Sequence, residues 1–420
     1  MKWFRRSKKK KQTRVVVIRF SIAALVTFLA GAVVVALIGK VPNRQWNATQ
    51  AESVRHFHDA QHGVPYSISV VELDDQGVMW DPKQLEWSLD HLEEVFKAHP
   101  SGTIVMVFVH GWKSDASWSV DPEGRLSLFR RDLERIATRV VNDRDYDGSP
   151  GIAGVYIGWR GRSFTFPGTE NLTFWNRRVA AHRAASVDLL EILLKINQIT
   201  RSGEAVKLVM MGHSMGGLIV EKVLAPAIVT SALSKSAATS QIPVDIDLVV
   251  SANPATSALD ASRLIEFFER NRCRMVTIDP AGQVKDAQGP IMVSINSEAD
   301  LVNRISFPLG MWVNGLFLRY RRDSLPGVPS QRTLGIRAAG HEPTLVSHTA
   351  EIVDGELVLK TCEGHSDELP YWVIRVSDEI SSGHSDVTNP WVNTLITDLM
   401  DRNHVFDPDI QLALQTGGSK

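Results

Sequence analysis

Between Phe20 and Gly39 the chain carries no charged residue. At about 1.5 Å rise per residue, roughly 20 apolar residues match the ~30 Å hydrocarbon core of a bilayer. Further along the rhythm changes. Short apolar runs of strand length, Pro65–Leu73, Thr103–Trp112, Ile152–Gly161, Val206–Met211, Asp245–Pro254, Gly289–Asp300 and Pro370–Ser377, end in polar or Gly-containing turns. Between them, Leu85–His99, Leu126–Val141, Ala180–Ile199, Gly217–Leu224 and Ala261–Asn271 repeat apolar residues at helical spacing. Thr344–Lys360 alternates around Asp354-Gly355 and predicts a hairpin. The strand runs are apolar throughout rather than alternating, as expected for parallel strands covered on both faces. Strands alternating with helices predict an α/β fold: one mostly parallel, doubly wound sheet.

Charge sharpens the division of the chain. Nine of the first nineteen residues are Lys or Arg and none is acidic, while the remainder holds 37 bases against 47 acids. The basic charge therefore sits in one terminal tail, which argues against a nucleic-acid partner. Lys and Arg resist translocation, so the tail is expected to stay cytoplasmic with the rest of the chain across the membrane. "ALIGKVPNRQW" offers a poor small-x-small cleavage site, and the segment reads as a signal anchor rather than a cleaved signal. The resulting domains are a basic tail (1–14), a transmembrane signal anchor (15–39), a polar linker (40–63), a folded domain (64–410) and a flexible tail (411–420). The two cysteines, Cys273 and Cys362, fit neither a zinc site nor a disulfide framework, leaving open one disulfide or two free thiols.

The chemistry gathers around Gly212-His213-Ser214-Met215-Gly216, a G-x-S-x-G pattern set between a predicted strand and a predicted helix. In that setting the turn is sharp, small flanking residues prevent collision, and the hydroxyl stands over a helix N-terminus that favours developing negative charge. A compact hydroxyl that a base can activate is a nucleophile. An oxyanion formed there needs backbone donors. The N–H of Met215 is one candidate, and the N–H of Trp112, in the loop "FVHGW" after an earlier strand, is the other; His110 is expected to orient that loop.

These residues resemble the α/β-hydrolase fold serine hydrolases, with "GHSMGG" as the nucleophile elbow and "HGW" as the oxyanion loop. The likeness extends to an esterase-like branch with "YIGWRG" and a late "GHSD", and covers roughly residues 100–400. It implies a sheet of the α/β-hydrolase type and the chain order Ser, acid, His. For the acid, Asp300 after the strand "GPIMVSINS" is favoured, with Glu298 as runner-up and Asp279 third. For the base, His384 lies just past the carboxyl end of Pro370–Ser377, where chemistry collects in parallel sheets. His341, His348 and His365 are the alternatives, expected to be ordinary surface residues. The expected activity is hydrolysis of carboxylic esters, esterase- or lipase-like, on a small-molecule or lipid-like substrate and without a cofactor or metal. Acyl transfer to another acceptor, and a non-catalytic anchored interaction protein, are the competing readings.

Three features stand apart. Asp143, Asp145 and Asp147 before Gly148 imitate half a calcium loop, but the closing position holds Gly154, so an Asp-rich turn is expected. The aromatic stretch Phe164–Trp175 offers either a pocket wall or loop packing. Asn47-Ala48-Thr49 and Asn171-Leu172-Thr173 fit the glycosylation pattern.

Overall fold

The computed structural model describes residues 24–406 apart from 29, 32, 35–40, 101, 119–124, 143–149, 165–172, 203–205, 235–245, 272–275, 279–283, 287–288, 316–317 and 321–328. The Asp-rich turn, Asn171, Cys273, Asp279, most of the aromatic stretch and most of the expected anchor lie outside the described residues. Among the described residues no helix is long and apolar enough to cross a membrane. The chain divides into two compact units, one made of residues up to 42 together with 162–174, the other of 43–161 with 175 onward. The first holds exposed helical residues between 24 and 34, and a backbone hydrogen bond from Val41 to Ser163. The second carries the sheet.

The strands of that sheet are β1 (Val54–His58), β2 (Pro65–Glu72), β3 (Thr103–Val109), β4 (Gly151–Gly158), β5 (Val206–His213), β6 (Leu248–Ala252), β7 (Met292–Ser297), β8 (His348–Val353), β9 (Glu356–Thr361) and β10 (Tyr371–Val376). Their spatial order is β1-β2-β4-β3-β5-β6-β7-β10-β8-β9. The eight inner strands run parallel; only the edge strands β1 and β9 are antiparallel to their neighbours. Helices α1 (Pro82–Ala98), α2 (Arg125–Asn142), α3 (Phe174–Ala184), α4 (Val187–Ser202), α5 (Met215–Ser234), α6 (Ala258–Arg270), α7 (Phe307–Asn314), α8 (Gln331–Ile336) and α9 (Pro390–Arg402) complete the chain. The continuous apolar runs are explained by burial: every residue of β3, β4 and β7 is buried. The core runs from Ile68 and Val70 through Met106, Tyr156 and Val250 to Trp372 and Ile374, with Phe129 and Leu133 of α2 packed onto it.

Sequence order reverses beside β3. β3 passes to β4 on one side, and β5, paired to the other side of β3, passes to β6 farther on. The crevice beyond the carboxyl ends of β3 and β5 is thus the topological switch point, where open α/β sheets hold their ligands. Register places Val109 beside Gly212, so the turn after β3 faces the turn after β5.

Several expectations are corrected. Residues 40–63 are not a free linker: a helical turn at Gln50–Ser53 leads into β1, and the backbone amides of Trp46 and Asn47 donate to the Glu72 carboxylate at 2.8 Å. The single helix expected over 180–199 is two, because the chain turns at Ser186, whose hydroxyl accepts from Leu189 N–H at the start of α4. α5 continues well past Leu224, through Pro226. Asn47 is 1% exposed and its amide donates to Glu72 and to the Ala116 carbonyl, so packing occupies the group that a glycan would need.

Candidate active site

Ser214 sits between the last residue of β5 and the first of α5, at φ +57°. This left-handed conformation is strained for a residue with a Cβ, and the surroundings over-determine it. Its N–H donates to Ala252 O at 2.9 Å, and its carbonyl accepts from Ala255 N–H at 3.0 Å and Leu218 N–H at 3.2 Å. The corner also needs Gly216. A Cβ there would stand 2.0 Å from the Val109 carbonyl oxygen, so only glycine lets α5 start this close to β3.

The Ser214 Oγ lies 2.7 Å from His384 Nε2, and His384 Nδ1 lies 2.7 Å from Asp300 Oδ2. With Asp300 ionised, Nδ1–H donates to the carboxylate and Nε2 is left to accept the Ser214 hydroxyl proton, a tautomer assigned from this network. Asp300 is wholly buried, its other oxygen accepting from Asn303 N–H at 3.0 Å. Glu298, two residues earlier, is exposed. The other histidines are elsewhere. His348 is 1% exposed, stacks on Trp372 at 3.9 Å and faces Asp367 at 3.1 Å, so it is a core residue rather than a surface one. His341 lies in a short 3-10 helix, half-buried, where burial depresses its affinity for a proton. His365 lies in the turn before β10.

The elements that carry the two expected oxyanion donors meet at this corner. Met215 is the first residue of α5, where amides have no intrahelical acceptor. The Gly111–Trp112 peptide follows β3, and a Cβ on Gly111 would lie 2.9 Å from Ser214 Cβ. His110 orients that peptide. Its Nδ1 lies 2.9 Å from Gly111 O, and its Nε2 accepts from Trp159 N–H at 3.0 Å, so Nδ1–H is the donor. In a trans peptide the N–H points opposite to the C=O, so anchoring the Gly111 carbonyl on His110 directs the Trp112 N–H the other way. Trp159 closes the unit by donating its indole N–H to His110 O at 2.8 Å and stacking on the imidazole at 5.6 Å. Burial pushes the His110 imidazole down to about 4, so it stays neutral and keeps this donor–acceptor arrangement.

Two residues around His384 escaped sequence reasoning. Its backbone carbonyl faces His213 Nε2 at 2.9 Å and accepts from Asn253 Nδ2 at 3.2 Å. Asn253 Oδ1 accepts from Ser297 N–H at 2.8 Å, and Asn303 donates to Asn253 O at 3.1 Å. Asn253 thereby links the ends of β6 and β7 to the loop carrying His384. His213 is held well below the usual imidazole range, chiefly by burial and then by the charge of Arg125, so its Nε2–H donor role is that of the neutral ring. The only local hint was position, since both residues flank strand ends at the switch point.

No family model matches the sequence, and no curated protein does. Among solved structures the chain is similar to Est1E from Butyrivibrio proteoclasticus, at 10% identity and a TM-score of 0.26, over 73% of this chain and 91% of that one. It is also similar to phospholipase PlaB from Legionella pneumophila in complex with thio-NAD, at 14% identity and a TM-score of 0.30, over 75% and 64% of the two chains. A third is XC6422 from Xanthomonas campestris, described as an α/β serine hydrolase without lid, at 11% identity and a TM-score of 0.26, over 84% and 95%. The assignment of fold rests on this chain's own architecture. A doubly wound parallel sheet, a Ser on a strained strand-to-helix corner, and an acid and a His that follow it in the chain and meet it in space are together the α/β-hydrolase fold.

Proposed function

We propose that this protein is a serine hydrolase of carboxylic esters, with Ser214 as nucleophile, His384 as general base and acid, and Asp300 holding the imidazole. One observation carries the reading: a serine hydroxyl, an imidazole and a buried carboxylate in an unbroken chain of 2.7 Å contacts. Ser214 Oγ attacks the ester carbonyl carbon while its proton passes to His384 Nε2. The carbonyl oxygen becomes an oxyanion facing the N–H groups of Met215 and Trp112. The C–O bond to the alcohol then breaks, the alcohol leaves with the proton from His384, and the acyl group stays on Ser214. Water repeats the sequence and releases the acid. Each oxyanion donor is worth about 3–4 kcal/mol of barrier in such sites.

The test is covalent. A fluorophosphonate should label Ser214 in the folded protein and fail to label the Ser214→Ala variant; wild type that stays unlabelled while folded overturns the reading. Added alcohols or amines in the same assay separate hydrolysis from acyl transfer, because transfer would divert the acyl group to them.

We further propose that residues 15–39 anchor the chain once in a membrane, with the basic tail cytoplasmic and the hydrolase domain on the far side. The charge-free stretch and its nine flanking basic residues support this. Protease added to intact cells should digest the domain and spare an N-terminal epitope; the reverse pattern rejects the orientation.

A further inference from the structure

The segment that follows Asp300 is inside out by the standards of a soluble protein. Residues Val302–Ser306 form a turn of π-helix that runs directly into α7. The inner face is settled: Asn303 and Phe307 are buried, Asn303 donates to the carbonyls of Asn253 and Pro254, and Arg178 lies over the Phe307 ring at 5.0 Å. Trp175 packs against Gly310 on that same side. The opposite face presents Leu301, Ile305, Leu309, Trp312 and Val313, and Leu318 follows; these six side chains are 49–63% exposed. Leu301, Ile305, Leu309, Trp312 and Val313 recur at the three- and four-residue steps of one helical face and make a single apolar stripe on water, starting at the residue after Asp300. Contiguous exposure of this kind marks a surface that is covered in use.

The charges say by what. From Leu301 to Tyr320 the charged residues are Arg304 and Arg319, both basic. Arg304 and Arg319 are exposed beside the stripe. A helix with an apolar face, an interfacial tryptophan and basic neighbours is suited to an anionic lipid surface, where it sinks into the boundary between headgroups and acyl chains. A second copy of the chain suits it less, because a two-fold contact through this patch would bring like charges together.

We propose that the stripe from Leu301 to Val313 docks onto the surface of an anionic bilayer and presents the site beside it to the acyl esters of membrane lipids, which makes lipid esters the substrate class. The proposal rests on the hydrolase reading for its substrate but not for its docking. Full-length protein carrying Trp312→Cys, with Cys273 and Cys362 changed to Ser, is labelled with an environment-sensitive fluorophore and reconstituted into vesicles of phosphatidylcholine and phosphatidylglycerol. Nitroxide groups on the lipid acyl chains should quench the probe at position 312, and should leave a probe at Glu363→Cys, in the turn before β10, unquenched. A probe at 312 that stays in water overturns the proposal. So does one that is shielded without nitroxide quenching, which would mark a protein partner. Insertion combined with failure of Ser214 to react with fluorophosphonate would retain the docking and remove the enzyme reading. With both intact, Leu309→Asp combined with Trp312→Asp should lower the ratio of vesicle-ester to soluble-ester turnover about tenfold or more. An unchanged ratio rejects lipid esters as the substrate class.

Discussion

Asn253 is held at φ +44° and 3% exposed, with both ends of its amide engaged, and its partner His384 is 131 residues away in the chain. Left-handed backbone costs a residue with a side chain about 1–2 kcal/mol, less for Asn. Replacement by Gly and by Ala therefore separates two roles. Asn253→Gly relieves the backbone and loses the clamp on the His384 carbonyl; Asn253→Ala loses the clamp and keeps the strain. We expect both to lower kcat about 10–100-fold, as misplacement of a catalytic group does, with only Ala lowering Tm further. If Gly restores full kcat, the clamp has no role in placing the base. Asp300→Asn should cost more, about 10⁴-fold in kcat, because an amide favours the wrong imidazole tautomer. Steady-state rates on a soluble ester check both. Ser214, Asp300 and His384 were legible because their residue types lie beside recognisable strand ends. Asn253 was not, since an Asn after a strand carries no signal until its partners arrive through folding.

At the level of elements, apolar runs located the parallel strands well, because a strand buried on both faces has no reason to alternate. Helix ends were harder. Ala180–Ile199 reads as one period, but the Ser186 hydroxyl accepts from Leu189 N–H and also donates to Gly77 O at 2.6 Å, a contact 109 residues distant that bends the chain there. The helix expected over Gly217–Leu224 differs in the other direction, running on through Pro226. This proline is exposed within α5, where it removes one backbone hydrogen bond and crowds the preceding turn, yet packing of Leu224 and Ile228 carries the helix across it. Pro226→Ala should therefore stabilise the protein, by about 1 kcal/mol after allowing for the looser unfolded chain. Urea denaturation measures it; a lower midpoint would mean that the local distortion itself is favourable.

At the scale of the whole molecule, one buried acid makes stability depend on pH. Glu221, in the face of α5 against β10, has its carboxyl pushed up to about 7, mainly by burial, with the Asp260 charge adding to it. The Tyr371 hydroxyl donates to it at 3.5 Å. The folded chain therefore holds this proton over a range where the unfolded chain has lost it. Its contribution is fully present below the ordinary carboxylate range, falls as pH rises toward about 7, and is level above that. Glu221→Gln removes the titration, so relative to wild type it should gain stability between about pH 5 and about pH 8, on the order of 1–3 kcal/mol. Urea midpoints at the two pH values decide it, and a difference that does not change with pH would place the proton elsewhere.

The amino-acid sequence by itself determined the alternation of strand and helix, the Ser corner, the reactive residue types and the charge-free terminal stretch, because each is written in local composition and short periodicity. Tertiary structure alone decided which of four late histidines meets Ser214, that Asp300 is buried while Glu298 is not, that His213 and Asn253 grip the base, and that an apolar helix beside the site faces outward. These depend on strand order and on contacts across a hundred residues or more, and the burial of a side chain is a property of its neighbours in space, which no short window of sequence contains.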